Sequence, residues 1–215
     1  MSRLAAGSDS LLVSYLALRR AIGMIGVALP FALALGAIAA GNAGVQRSVS
    51  AYYYTAMGDV LVGSLCAIGV FLLSYQGYEP KDSIAGNLAC VFALGVALCP
   101  TTPLANATRA DEIVGALHLV FAALLFLTLA YFSLVLFRKT DATKTPTPRK
   151  LQRNRVYTFC GYAILACIVL IAAVALLRDD SPIRRLKPVF WLEATAVVAF
   201  GFSWLTKGEA LLADE

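Results

Sequence analysis

The sequence predicts an all-α fold, a polytopic bundle of six transmembrane helices with both termini in the cytoplasm. Three observations support this: 60% of the 215 residues are hydrophobic and only 14% are charged, and the mean hydropathy is +0.75. Soluble domains contain about 25% charged residues, and they rarely hold several uncharged runs near the ~20 residues that cross a bilayer. The apolar runs are continuous and do not alternate with polar residues, so they predict helices and not the strands of a barrel.

The predicted spans follow one another along a single integral-membrane domain, at residues 21–40, 59–76, 83–100, 112–137, 156–177 and 188–206. A tight turn at 77–82, which contains Pro80, joins the second and third spans and makes them an antiparallel hairpin. Residues 138–155 form a basic cytoplasmic loop.

The distribution of lysine and arginine predicts the orientation. Of the 18 basic residues, 12 lie in the first, third, fifth and last segments outside the spans, and seven of these lie in 138–155. Because positively charged short loops stay in the cytoplasm, both termini are placed there. Arg184, Arg185 and Lys187 are exceptions, since their loop is then on the outside.

The bilayer itself is the first expected partner of such a chain. The basic residues of 138–155 either serve only to set the orientation of the chain or also contact anionic lipid headgroups, to which each base near the surface contributes about 1 kcal/mol. Binding of nucleic acid is not expected, because the sequence contains no folded soluble module.

Two features predict how the spans sit and pack. Trp191 and Trp204 are 13 residues apart in the last span, or roughly 20 Å along a helix, which is typical of two interfacial aromatic belts. Small residues allow close helix contacts within the chain or in a homodimer. They are Ala32, Gly36 and Ala40 of the first span and Gly63, Gly69, Gly86 and Gly95 of the next two.

Three ionisable residues inside the spans are candidates for function, because such groups are costly in lipid. They are Asp59, His118 and Glu193. His118 and Glu193 each lie roughly 8–9 Å below the predicted start of their helices, and Asp59 lies at the outer start of the second span. Because all three residues lie near the outer ends of their spans, we expect them to share an outward-facing polar cavity.

Further polar residues are predicted at the same side, and we include them in the candidate binding site: Asp111, Ser48, Tyr54 and Thr101. Asp111 precedes His118 by two helical turns and therefore shares its helix face. The side chains of the tyrosine run 52–54 point in different directions, so the whole run does not line one pocket.

Three functions remain open at this point. The leading hypothesis is a non-enzymatic protein, without a cofactor, that binds or moves a small solute or lipid through the cavity. The alternative is a membrane-embedded metal-dependent hydrolase with His118, Asp59 and Glu193 as metal ligands; a zinc site of three histidines is excluded, because the chain has one histidine. The third is a structural or sensory role, in which His118 bonds to Glu193 or Asp111 and holds helices together.

A resemblance to known proteins rests on the segments SVSAYYYTAMGDVLVGSLCAIGVFLLSYQGYE, NLACVFALGVALCPTTP and KLQRNRVY. They are similar to bacterial six-helix inner-membrane proteins of unknown function, over residues 15–208. This resemblance implies the fold and an inner-membrane location, but no activity. The chain is also faintly similar to the seven-helix ceramidase and progestin-receptor-like membrane hydrolases, which place a serine, an aspartate and three histidines around zinc. Ser48, Asp59 and His118 match part of that pattern.

Overall fold

The computed structural model describes residues 2–75, 80–140, 145–178 and 180–212. Within these ranges all regular secondary structure is helical, and there is no strand. A 3-10 helix at Ser50–Tyr54 precedes the second α-helix, and a π-helical segment at Phe132–Leu136 continues the fourth. The α-helices are α1 (Ser2–Ala39), α2 (Gly58–Leu73), α3 (Pro80–Leu98), α4 (Arg109–Tyr131), α5 (Pro148–Ala175), α6 (Pro182–Arg185) and α7 (Pro188–Lys207).

The long helices form a closed ring in chain order. Each of α1 to α4 packs against the next helix, α5 packs against α4 and α7, and α7 closes the ring against α1. Neighbouring helices are antiparallel, so the connections 40–57, 99–108 and 176–187 meet at one end of the bundle, which we call the loop end. The opposite end, which we call the terminal end, holds a hydrogen bond from Arg20 to the Gly208 carbonyl and an ion pair between Lys139 and Asp82.

Four segments of the described chain are long and apolar enough to cross a membrane: Tyr15–Ala39, Arg109–Leu136, Pro148–Ala175 and Pro188–Lys207. Large apolar side chains such as Phe31, Leu127 and Phe159 are exposed on the outside of the ring, as expected for a surface in contact with lipid. These findings indicate an integral membrane protein.

The second and third predicted spans are shorter as helices. α2 ends at Leu73, before the predicted limit at residue 76, and has 16 residues, which corresponds to roughly 24 Å against ~30 Å of hydrocarbon. The apolar part of α3, Asp82–Leu98, is similarly short. Part of the predicted turn between them, residues 77–79, lies outside the described residues.

A close helix crossing joins α1 to α7 through glycines. A Cβ atom on Gly201 would lie 2.7 Å from the Val27 backbone nitrogen and 2.8 Å from the Gly23 carbonyl oxygen. A Cβ atom on Gly23 would lie 2.7 Å from the Leu205 nitrogen. Real side chains do not tolerate such distances, so only glycine lets these two backbones approach.

The small-residue face predicted on α1 is not this crossing. Ala32 and Ala40 are exposed, and a Cβ on Gly36 would meet the Met57 side chain. Of the other predicted glycines, Gly63 faces open space, whereas Gly69, Gly86 and Gly95 contact neighbouring helices.

Trp204 lies in the core of the ring and not on its outer surface. It is 1% exposed, and its ring packs against Tyr75, Phe132 and Phe137 at centroid distances of 5.9, 5.7 and 5.1 Å. Trp191 is 57% exposed. The prediction of two interfacial anchors is therefore wrong for Trp204. Side chains thirteen residues apart on a helix point in directions that differ by about 140° around its axis, so Trp191 faces outward and Trp204 faces the core of the ring.

Candidate functional site

A cavity of about 490 Å³ opens at the loop end, between α4, α5 and the start of α7. We call it the loop-end cavity. Four of the seven predicted site residues line it: Ser48, Thr101, His118 and Glu193. These residues come from four separate parts of the chain, and the closed ring brings them together.

Glu193 projects from the second turn of α7 and holds the first loop. One carboxylate oxygen, Oε2, accepts a hydrogen bond from the Val49 backbone N–H at 2.6 Å. Val49 precedes the 3-10 helix, whose first N–H groups have no partner within the helix. A second bond, from the Phe190 N–H to the Arg47 carbonyl at 3.1 Å, joins the same two elements. Glu193 is thus a capping group as well as a wall of the cavity.

His118 is buried on α4 and is bonded to the end of α3. Its Nδ1 atom lies 2.6 Å from the Cys99 carbonyl oxygen. A carbonyl only accepts, so Nδ1 carries the hydrogen, and Nε2 is the acceptor in the neutral ring. The predicted role of holding helices together is consistent with this bond, but the partner is a backbone carbonyl and not Glu193 or Asp111.

The three tyrosines differ in environment, as predicted: Tyr52 is buried, Tyr53 is half-buried and Tyr54 is exposed. Tyr52 is fully buried, and its hydroxyl accepts a hydrogen bond from the Gln46 N–H at 3.2 Å. The pKa of Tyr52 is raised above its ordinary value, because the effect of burial exceeds the opposing effect of the bond from Gln46. Tyr54 is 49% exposed and donates to the Thr101 carbonyl at 2.6 Å. It lines a neighbouring cavity of about 610 Å³ and not the loop-end cavity.

Ser48 is placed in a structural role that accounts for its polarity. Its hydroxyl accepts a hydrogen bond from the Ala51 N–H at 3.0 Å, so it caps the 3-10 helix together with Glu193. Ser48 and Glu193 both line the loop-end cavity, at the place where the first connecting loop contacts α7.

Asp111 is separated from the cavity by its own capping bonds. Its carboxylate accepts from the backbone N–H and the hydroxyl of Thr108 at 2.8 and 2.7 Å. Its own N–H donates to the Thr108 hydroxyl at 3.2 Å. This reciprocal pair is a capping box, which satisfies free N–H groups at the start of α4.

Asp59 also lies outside the loop-end cavity. It is exposed on the first turn of α2 and is not among the residues of that wall. Over the described ranges, no three His, Cys, Asp or Glu side chains come close enough to share a metal ion. The geometry therefore does not assemble His118, Asp59 and Glu193 as a set of metal ligands.

Three basic residues line the loop-end cavity and were absent from the predicted site: Arg47, Arg184 and Lys187. Arg47 donates to the Thr102 carbonyl at 2.5 Å, and Lys187 donates to the Val45 carbonyl. Arg184 donates to the Leu177 carbonyl at 2.7 Å, near the end of α5. The sequence did contain a signal for two of them, because Arg184 and Lys187 are exceptions to the predicted charge distribution.

A second, smaller cavity of about 60 Å³ lies inside the ring. Its walls are almost entirely apolar and include Leu61, Leu125 and Phe200. Ser50 and Glu193 form part of the walls of both cavities. Ser50 and Glu193 thus lie between the loop-end cavity and the interior cavity.

Comparisons of the chain with protein families, curated proteins and solved structures found no match.

Proposed function

We propose that this chain is a membrane protein that binds and moves a small solute or lipid through the loop-end cavity. The observation that supports this most directly is the convergence of Ser48, Thr101, His118 and Glu193 on one open cavity of about 490 Å³. Polar groups inside the membrane region are costly, and a concave apolar cavity with a few polar groups is typical of a binding site.

The position of Ser50 and Glu193 supports a role in movement as well as in binding. They are shared by the loop-end cavity and the interior cavity, so a path from the mouth into the ring passes between them. The interior volume of about 60 Å³ is comparable with about two water molecules. Passage of anything larger requires the helices to separate.

We further propose six spans, an inner-membrane location and both termini in the cytoplasm. α2 and α3 complete the ring between α1 and α4, so a bilayer that surrounds those longer helices also encloses the shorter pair. The loop end then faces outward, and 138–155 faces anionic lipid headgroups. The resemblance to bacterial six-helix inner-membrane proteins stays a prediction.

Ligand-induced thermal stabilisation tests the proposal. A panel of water-soluble solutes and lipids is screened for compounds that raise the unfolding midpoint of the detergent-solubilised protein, because a ligand that binds only the folded state stabilises it. Ile171→Trp fills the loop-end cavity from α5 and should abolish the shift. Val169→Trp, an exposed position on the same helix that does not line the cavity, should retain it.

Two results would contradict the proposal. One is a panel in which no compound shifts the midpoint of the wild-type protein. The other is a shift that persists in Ile171→Trp. A compound that passes this test is then followed for uptake into sealed proteoliposomes, where Ile171→Trp should also reduce the rate.

A further inference from the structure

The wall of the loop-end cavity is divided into a cationic part and an apolar part. Arg47, Arg184 and Lys187 come from the connecting loops, and Leu119, Ile171 and Val174 come from the long helices α4 and α5. The charged part therefore lies at the rim and the apolar part lies along the membrane-crossing segments.

The rim favours an anion. Arg47 and Lys187 donate to backbone carbonyls, which are neutral and leave both positive charges in place. Among the described residues of this wall, Glu193 is the one acidic residue, and its Oε2 already accepts the Val49 N–H. In this described part of the wall, basic side chains thus outnumber acidic ones three to one, and such a field attracts negatively charged groups. Arginine in particular matches the oxygens of phosphate and carboxylate.

The apolar part opens sideways to the membrane. Leu119 lines the cavity and is also 67% exposed. It follows the first residue of α4, Arg109, by ten positions, or roughly 15 Å along the helix. In the proposed membrane arrangement, the cavity thus reaches the outer surface of the bundle at the depth of the lipid chains, in the gap between α4 and α5.

The interior cavity offers no room for a hydrocarbon chain. Its volume is about 60 Å³, so a chain attached to a headgroup at the rim has to leave by the lateral gap. A basic rim and an apolar lateral opening together are complementary to a ligand that carries both a charged group and an apolar chain.

We infer that the ligand is an anionic amphiphile, with its phosphate or carboxylate held by Arg47, Arg184 and Lys187 and its hydrocarbon chain leaving between α4 and α5. This inference rests on the proposed function and names the ligand class of the same cavity. The acidic group alone has two sources, a lipid headgroup or a small soluble anion, and the binding experiment separates them.

Three probes distinguish these sources when their binding to the detergent-solubilised protein is measured by thermal shift. They are palmitoyl lysophosphatidate, palmitoyl lysophosphatidylcholine and glycerol phosphate. The first should bind at least about tenfold more tightly than lysophosphatidylcholine, because the choline cation offsets the phosphate charge that the basic rim attracts. It should exceed glycerol phosphate by a similar factor, because glycerol phosphate lacks the apolar chain whose burial stabilises the complex. Equal binding of the two lipids would overturn the assignment of the rim. Equal binding of glycerol phosphate would identify a soluble anion as the ligand.

Matched variants test the two parts of the wall. Arg47→Gln should weaken lysophosphatidate binding by about tenfold. Arg178→Gln should leave it unchanged, because the Arg178 side chain is 88% exposed and paired with Asp180. Leu119→Trp should block the lateral gap and weaken the lipid but not glycerol phosphate, whereas Leu117→Trp, exposed elsewhere on α4, should weaken neither.

The outcomes also separate this inference from the proposed function. If water-soluble solutes shift the midpoint in an Ile171-dependent way and no lipid binds, the proposed function stands and the ligand class is wrong. If Arg47→Gln does not fold, the comparison of the three probes on the wild-type protein still decides the matter. Unchanged lipid binding in both Arg47→Gln and Leu119→Trp would contradict the inference.

Discussion

The Glu193 carboxylate of α7 accepts a hydrogen bond from the Val49 backbone N–H at 2.6 Å. This bond fastens the first connecting loop to α7, and Glu193 lies between the two cavities.

Replacement of Glu193 should therefore affect stability according to whether an acceptor remains. Glu193→Gln keeps a carbonyl oxygen within reach of the Val49 N–H and should unfold close to the wild-type temperature. Glu193→Leu leaves that N–H without its acceptor and should cost about 1–3 kcal/mol. Thermal unfolding in one detergent compares the two variants, and a Leu variant as stable as the Gln variant would contradict the capping role.

The glycine crossing between α1 and α7 leads to a second prediction. Gly201→Ala places a methyl group 2.7 Å from the Val27 nitrogen and should destabilise the protein by about 1–3 kcal/mol, as overpacking does. Gly63→Ala is the control, because its Cβ meets no atom within 4 Å. Alanine favours a helix over glycine by roughly 0.5–1 kcal/mol, so this variant should be as stable as the wild type or more stable. The opposite order of stabilities would show that the two helices do not cross here.

The capping box at the start of α4 should contribute to stability and not to ligand binding. Thr108→Ala removes the N-cap hydroxyl that accepts from the Asp111 N–H and should cost about 1 kcal/mol. A compound that stabilises the wild-type protein should stabilise this variant by the same increment. If the increment disappears, Thr108 or Asp111 belongs to the binding site after all.

The orientation can be tested by cysteine labelling in intact cells. The experiment starts from a variant in which the five native cysteines are replaced by alanine. Ala105→Cys, exposed at the loop end, should react with a maleimide that does not cross membranes. Thr145→Cys, exposed at the terminal end, should react only after the membrane is opened. The reverse pattern would place the loop end in the cytoplasm.

The helical character of the chain was predictable because it depends on local composition. Continuous apolar runs must satisfy their own backbone hydrogen bonds in lipid, and the all-helical structure with four membrane-length helices agrees with this. The limits were less accurate: α4 begins at Arg109, three residues before the predicted start. The reason is the Thr108–Asp111 capping box, which begins the helix in a polar stretch that a hydropathy pattern does not include.

The candidate site was predicted in part. Depth along a helix can be counted in residues, and this placed His118 and Glu193 at a common cavity. The direction in which a side chain points around its helix depends on which neighbours pack there. Asp59 is therefore exposed, while Arg47 and Lys187, which belong to irregular loops without periodicity, reach the cavity.

By itself, the sequence determined that this is a helical membrane protein with polar residues concentrated toward one end of the bundle. Hydropathy is a property of each residue and does not depend on the tertiary structure. Only the tertiary structure decided that Gly23 and Gly201 form the seam, that Trp204 is buried, and that Glu193 shares a cavity with Arg47 and not with Asp59. Those relationships join residues far apart in the chain, and they are set by the closure of the helical ring.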